Sequence, residues 1–145
     1  FLDIFGASLE EGAAFTDAAG STLAITKALF VKGSEKESDH FKWLAEPEKA
    51  DRLQYINLLA MTLIEPDEIW WVWVKDFADA GKWRLKRRYL RAFEVDGSDQ
   101  YGVAVFEWGS NGWSGATAFM SSQKSDDLRR AYFENQRAGR LVFKK

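Results

Sequence analysis

Apolar side chains recur at helical spacing in two stretches of the chain. In the first stretch they fall at Leu53, Ile56, Leu59 and Leu63. This period of three to four residues predicts an amphipathic helix over residues 48–64, which ends before Pro66. The second stretch follows Ser125, a residue type that caps helix N-termini, and predicts a helix over 125–138. One face of each helix should therefore pack against the rest of the domain.

Between these helices, apolar and polar positions alternate with a period of two. β-branched and aromatic residues dominate, and turns containing glycine separate the runs, so the pattern predicts four consecutive strands. They span 68–75, 83–95, 101–108 and 113–120. Because strands joined by tight turns pair antiparallel, the four should form a meander. A hairpin turn is also expected at 17–20, and a short strand at 141–143.

Together these elements predict an α+β domain. We expect a twisted antiparallel sheet of about four to five strands, with the helices packed on one face and the other face partly free. Residues 15–145 should form this single domain, preceded by an acidic lead-in segment at 1–14. A content of 46% hydrophobic and 15% aromatic residues indicates a packed core and excludes intrinsic disorder.

The composition also excludes several kinds of functional site. The chain contains no cysteine, so it has no disulfide, thiol nucleophile or zinc–thiolate centre. It contains one histidine, His40, which excludes multi-histidine metal sites. Neither a phosphate-binding glycine loop nor a zinc-protease motif occurs. We therefore expect no metal and no cofactor. The sequence lacks an apolar run long enough to span a bilayer, so no membrane partner is expected.

The strongest chemical signal is a basic segment at 82–91, which reads KWRLKRRYLR and holds six cationic residues in ten. Strand alternation separates Arg87, Tyr89 and Arg91 on one face from Arg88 on the other. Burying unpaired cations is costly, so at least one face should meet solvent or a polyanion. Arginine suits bidentate phosphate contacts, and tyrosine suits stacking on unpaired RNA bases. The alternative is an exposed strand whose charges only protect a sheet edge.

Four further residues are candidates for chemistry. His40 has an unperturbed pKa near neutrality, which suits a general acid or base. Lys42 and Arg52 are placed to neutralise phosphate charge, and Thr117, which follows small residues on a strand, offers a hydroxyl to a phosphate oxygen. Each also has a plainer interpretation: a surface histidine, an exposed lysine, an ion pair of Arg52 with Asp51, and a threonine that favours strand structure.

Several contiguous blocks resemble segments of a known nuclease family. Residues 55–70 read YINLLAMTLIEPDEIW and residues 85–93 read LKRRYLRAF, and both are similar to signature segments of the family. Shorter similar segments lie at 41–43, 113–119 and 136–143. The chain thus resembles the phage-Barnase-EndoU-colicin-RelE nuclease-like family over residues 15–145. This family is found at the C-terminus of MuF-type phage head morphogenesis proteins and in polymorphic toxins.

The resemblance implies a metal-independent, ribonuclease-like fold in which a helix precedes an antiparallel sheet and the active site lies on the open sheet face. It implies a toxin or phage-delivered effector that acts in the bacterial cytoplasm and is blocked by a cognate immunity protein. It does not assign catalytic residues, because members of this superfamily use different ones. Some use a histidine pair, which this chain cannot supply, and others use arginine, lysine and tyrosine.

The leading hypothesis is a ribonuclease in which the 2′-hydroxyl attacks the adjacent phosphate and leaves a 2′,3′-cyclic phosphate, with tRNA as one candidate substrate. Its predicted catalytic residues are His40, Arg88 and Thr117. Its predicted substrate-binding residues are Lys42, Arg52, Arg87, Tyr89 and Arg91. Two alternatives stay open. One is a non-catalytic nucleic-acid- or protein-binding module of a phage head protein. The other is an ADP-ribosyltransferase toxin, although the late Glu134 that it would use falls on a predicted helix.

Overall fold

The computed structural model describes residues 1–8, 10–30, 56–76, 81–120 and 125–145. In chain order the helices and strands are β1 (Ala13–Thr16), β2 (Thr22–Ile25), α1 (Ile56–Ile64), β3 (Glu68–Lys75), β4 (Trp83–Val95), β5 (Ser98–Gly109), β6 (Gly112–Met120), α2 (Asp126–Asn135) and β7 (Arg140–Lys144). Two short 3-10 helices lie at Leu2–Phe5 and Lys27–Phe30.

Most of the predicted elements are confirmed. The predicted bounds of β3 and β4 match the structure, and those of β5 and β6 differ from it by at most three residues. Helix α1 is the second half of the helix predicted over 48–64, and residues 48–55 lie outside the described residues. Helix α2 begins as predicted, because the hydroxyl of Ser125 accepts a hydrogen bond from the backbone N–H of Leu128 at 3.1 Å.

The sheet is larger than the sequence predicted, and it is mixed. Within the described residues its order is β1-β2-β6-β5-β4-β3-β7, which makes seven strands rather than four to five. Strand β2 pairs parallel with β6, whereas the other neighbours pair antiparallel. The expectation of a purely antiparallel sheet was therefore wrong. The extra strands are short segments from the two ends of the chain that extend opposite edges of the predicted meander.

The two helices lie on opposite faces of the sheet, which corrects the expectation that both would pack on one face. Leu59 and Leu63 of α1 belong to the same core cluster as Tyr89. Phe133 of α2 packs in a second cluster with Leu90. Because Tyr89 and Leu90 are consecutive residues of β4 and both are buried, each sheet face needs its own cover. We call the face that carries Tyr89 the inner face and the face that carries Leu90 the outer face.

A buried ion pair shows that the sheet curls around its inner face. Asp17 lies in the turn between β1 and β2, and three strand spacings of about 4.8 Å would separate β2 from β4 in a flat sheet. Even so, Asp17 Oδ2 accepts hydrogen bonds from Arg87 Nη2 at 2.7 Å and Arg87 Nε at 3.0 Å. The hydroxyl of Tyr89 donates to the same oxygen. The curl therefore brings distant strands together around one arginine.

The first residues of the chain pack on the same inner core. Ala7 is buried in the core cluster, and Phe1 and Phe5 pack against it. The ring of Phe5 meets that of Phe15 on β1 edge to face, with centroids 5.1 Å apart. The beginning of the segment expected as a lead-in thus contributes apolar surface to the domain.

In the part of the chain that the structure describes, every helix is too short or too polar to cross a membrane.

Candidate functional site

Four side chains form a row across the outer face, next to the area that α2 covers. The row is set by strand register: Trp70 of β3 pairs with Arg88 of β4, Arg88 with Val105 of β5, and Val105 with Thr117 of β6. Trp70 and Val105 pack against the cluster that contains Phe133, which confirms that the row faces α2. The sequence-predicted pair Arg88 and Thr117 therefore shares one face, two strands apart.

A β-bulge decides which face Thr117 occupies. Val105 pairs with Thr117, but the next residue, Phe106, pairs with Gly115, so Ala116 is the extra residue. Without the bulge, strict alternation would place Thr117 on the inner face with Trp113. The bulge turns Thr117 to the outer face, where it is exposed. Bulges are common next to active sites because they redirect a side chain in this way.

Arg88 is a half-buried cation without a carboxylate partner among the described residues. Its Nη1 donates to the backbone carbonyl of Gln136, at the end of α2, over 3.3 Å. Burial lowers the pKa of the Arg88 guanidinium from its ordinary value, and nearby Tyr132 opposes that shift. An anion bound here would supply the missing negative charge. The electrostatics of the row therefore favour a phosphate-sized anion at Arg88.

The neighbouring cations of the outer face are already neutralised. Lys86 Nζ lies 2.7 Å from Glu107, and Arg84 lies 2.9 Å from Glu107 and 2.8 Å from Asp76. Although burial opposes the change, the hydrogen bonds from Lys86 and Arg84 lower the pKa of the Glu107 carboxyl. Arg88 differs from these two cations because no acidic side chain of the described residues pairs with it.

A second ion pair fixes the edge of the row at α2. Glu68 Oε2 lies 2.6 Å from Arg137 Nη2, and Glu68 Oε1 accepts a hydrogen bond from the indole N–H of Trp70 at 3.2 Å. The Arg137 guanidinium also lies over the ring of Phe133, 5.2 Å from its centroid. These contacts tie the end of α2 to β3. They position Trp70 and the Gln136 carbonyl on either side of Arg88.

A comparison with known protein families identifies the family of this chain. Residues 1–144 match the family PBECR2, described as phage-Barnase-EndoU-ColicinE5/D-RelE like nuclease2. The chain belongs to this family of nucleases. No curated protein and no solved structure matches the PBECR2 chain. The expected resemblance is therefore confirmed, and the match extends through the first residues of the chain, which the sequence analysis had set apart.

Three of the predicted substrate-binding residues of this PBECR2 domain do not lie on the open outer face. Arg87 and Tyr89 are fully buried on the inner face with Asp17. Arg91, also on the inner face, donates to the backbone carbonyl of Glu65 at 2.9 Å, just after α1 ends. That contact supports the last turn of α1, where carbonyls lack helical partners. The structure thus brings Arg88 and Thr117 together and separates them from these three residues.

The remaining predicted residues, His40, Lys42 and Arg52, lie outside the described residues. Their roles stay predictions from the sequence. Glu134, which an ADP-ribosyltransferase would use on a late strand, lies exposed on α2, as the helix prediction required.

Sequence reasoning missed the residues that α2 and β3 bring to Arg88. The pairing of Trp70 with Arg88 depends on the register of the β3–β4 hairpin, and the position of Gln136 depends on how α2 docks. One signal was available, because the family-like block 136–143 contains Gln136 and Arg137. The contact of Gln136 with Arg88, however, joins residues 48 positions apart, and no local pattern predicts such a contact.

Proposed function

We propose that this PBECR2 domain is a metal-independent ribonuclease that binds the scissile phosphate of RNA at Arg88. The observation that carries the proposal is the half-buried Arg88 guanidinium, which lacks a carboxylate partner among the described residues and shares a row with the Thr117 hydroxyl. Membership of a nuclease family supports a phosphodiester substrate. An uncompensated cation on an accessible sheet face is a suitable group to receive such a substrate.

In the proposed reaction the ribose 2′-oxygen attacks the adjacent phosphorus and the bond to the 5′-oxygen breaks. The products are a 2′,3′-cyclic phosphate and a free 5′-hydroxyl. One proton leaves the 2′-hydroxyl and one proton reaches the departing 5′-oxygen. Negative charge grows on the non-bridging oxygens as the phosphorane forms, and a preorganised cation stabilises it without reorganising water.

Residues of the outer face and the three candidates known only from the sequence each have a role in this scheme. Arg88 neutralises the phosphorane charge, and Thr117 Oγ1 donates a hydrogen bond to a non-bridging oxygen. Trp70, beside Arg88, offers an aromatic surface to a neighbouring base. His40 transfers a proton, as its type predicts. Lys42 and Arg52 add positive charge along the RNA backbone, where phosphate contacts dominate affinity.

Membership of this nuclease family supports a biological setting for the proposal. A nuclease of this kind would act on RNA, with tRNA as one candidate, in the cytoplasm of a bacterial cell, and a cognate immunity protein would protect its producer. Phage head delivery or toxin secretion would bring it there.

Incubation of the purified domain with total RNA in EDTA tests the proposal. The proposal predicts fragments that end in a 2′,3′-cyclic phosphate, detected by their resistance to ligation until the cyclic phosphate is opened and the resulting phosphate is removed. Binding without any cleavage would indicate a nucleic-acid-binding module instead. Transfer of label from NAD to a macromolecule would indicate an ADP-ribosyltransferase.

A further inference from the structure

The inner face carries a cavity that the proposed reaction does not use. It has a volume of about 550 Å³ and lies at the hairpin end of the sheet. Three tryptophans line it, Trp71, Trp108 and Trp113, together with Leu85. Its polar side chains come from Ser21, Thr22 and Asn111. An apolar cavity of this size with a few polar groups is typical of a small-ligand site.

The tryptophans form a continuous aromatic wall. The rings of Trp71 and Trp113 have centroids 6.2 Å apart, and those of Trp108 and Trp113 have centroids 5.1 Å apart. Trp108 is 54% exposed, so much of its surface is free to meet a ligand. Such a wall favours a flat aromatic ligand, which gains stacking energy without needing a particular side group.

The wall adjoins buried hydrogen-bond donors that lack an acceptor among the described residues. These donors are the Trp71 indole N–H and Arg87 Nη1, and neither has a hydrogen-bond partner in that part of the chain. The Arg87 guanidinium carbon lies 5.8 Å from the Trp71 ring centroid and 5.6 Å from that of Trp113, so it adjoins two of the lining residues. Buried donors are nearly always paired, and an unpaired one is costly. Together they call for a ligand that brings an acceptor.

We infer that this cavity binds a single unstacked nucleobase. The base stacks on the tryptophans, and one of its neutral acceptor atoms accepts from Trp71 Nε1 or Arg87 Nη1. Every nucleobase carries such an acceptor: uracil, cytosine and guanine have a carbonyl oxygen, and adenine has its ring nitrogens. The carboxylate of Asp17 already neutralises Arg87, so the site selects a neutral acceptor rather than a second anion. The choice of a nucleobase among flat ligands rests on the proposed ribonuclease function.

Mononucleotide titrations followed by NMR test the inference without requiring cleavage. UMP should shift the Trp71 indole N–H resonance and bind about tenfold or more tightly than phenyl phosphate, whose flat ring has no acceptor and leaves the donors unpaired. Trp108→Ala should weaken UMP binding by about 5- to 150-fold, the range that stacking on one aromatic side chain contributes. Trp83→Ala is the matched control, because Trp83 is 58% exposed and does not line the cavity. It should bind UMP like the wild type.

A second variant tests the hydrogen bond separately from the stacking. Trp71→Phe keeps an aromatic ring and removes the N–H, so it should reduce the preference for UMP over phenyl phosphate while keeping most of the affinity for phenyl phosphate. Equal UMP affinity in Trp108→Ala and the wild type would overturn the inference, as would equal affinities for UMP and phenyl phosphate in the wild type.

RNA cleavage assays then show whether the bound base belongs to the substrate or to a free nucleotide. They also distinguish failure of this inference from failure of the proposed ribonuclease function. A raised KM for RNA in Trp108→Ala would assign the base to the substrate, and an unchanged KM with weakened UMP binding would assign the cavity to a free nucleotide. If UMP binds as described and no RNA is cut, the cavity stands and the proposed function fails. If RNA is cut and UMP does not bind, the proposed function stands and the inferred nucleobase site fails.

Discussion

Arg87 and Arg88 are consecutive residues of β4 with opposite environments. Arg87 is fully buried on the inner face and pairs with Asp17 over 2.7 Å. Arg88 is half-buried on the outer face, and its guanidinium meets the Gln136 carbonyl rather than a carboxylate. Strand alternation separates the two side chains, and the buried Asp17 decides which of them holds the fold together. The other, Arg88, is the one that we propose binds an anion.

The first prediction concerns stability. Asp17→Ala removes the acceptor of Arg87 and Tyr89 and leaves a buried cation unpaired, so the free energy of unfolding should fall by about 3–5 kcal/mol. Arg87→Met removes the cation and keeps an apolar chain. The double variant Asp17→Ala/Arg87→Met should therefore lose less unfolding free energy than the sum of the losses in the two single variants. Urea denaturation of the four proteins measures this coupling. Costs that simply add would contradict a direct pair.

The second prediction concerns alkaline pH. Burial raises the pKa of the Tyr89 hydroxyl above its ordinary value of 10.0. The folded protein therefore keeps Tyr89 protonated while the unfolded chain loses that proton above about pH 10. The stability that Tyr89 contributes is present below about pH 10 and is lost above it, by about 1.4 kcal/mol per pH unit.

Tyr89→Phe removes the titrating group, so its free energy of unfolding should fall less steeply than that of the wild type above about pH 10. Urea denaturation at several alkaline pH values checks this. Identical slopes in the two proteins would show that Tyr89 is not the responsible group.

Residue patterns predicted the local elements well and the long-range ones poorly. The bounds of β3 and β4 follow from alternation and from the turns around them, which are local properties. The hairpin turn at 17–20 and the short strand at 141–143 were also predicted locally, and both are confirmed by the β1–β2 pair and by β7. The pairing of β2 with β6 and of β7 with β3 is non-local, so the size and the mixed direction of the sheet were not predictable. The alternation of β4 separated Arg87 from Arg88 correctly. Which of the two is buried depends on Asp17, which lies 70 residues from Arg87 in the sequence.

The candidate site shows the same limit. Arg88 and Thr117 were singled out by residue type, and the register of β4, β5 and β6 brings them to one face. Thr117 reaches that face through the bulge at Ala116, which no pattern of residues indicated. Gln136 and Tyr132 approach Arg88 only because α2 docks on the outer face.

The third prediction concerns the Thr117 hydroxyl. Thr117→Val keeps the β-branched shape that suits a strand and removes the donor, so kcat for RNA cleavage should fall about 10- to 100-fold with little change in stability. Ser114→Ala is the control, because Ser114 is also exposed on the outer face but pairs with Glu107, outside the row. It should cleave at the wild-type rate. A Thr117→Val enzyme with full activity would remove this hydroxyl from the mechanism.

The fourth prediction concerns proton transfer by His40. His40→Ala should lose about 10²–10⁴-fold in kcat, the usual contribution of a general acid or base. RNA affinity should change far less, because phosphate contacts dominate it. The pH–rate profile should lose one limb near the histidine pKa. If His40→Ala keeps close to full rate and both limbs, the protons move through other groups and Arg88 carries more of the acceleration.

The central claim is that Arg88 stabilises the charge that develops on the scissile phosphate, and single-turnover cleavage of RNA by Arg88→Ala tests it most directly. The account predicts a loss of about 10²–10³-fold in the rate of cleavage, with partial recovery in Arg88→Lys. Arg84→Ala, which removes an exposed cation already paired with Asp76 and Glu107, should stay within a few-fold of the wild type. An Arg88→Ala protein that folds and cuts RNA as fast as Arg84→Ala would contradict the account.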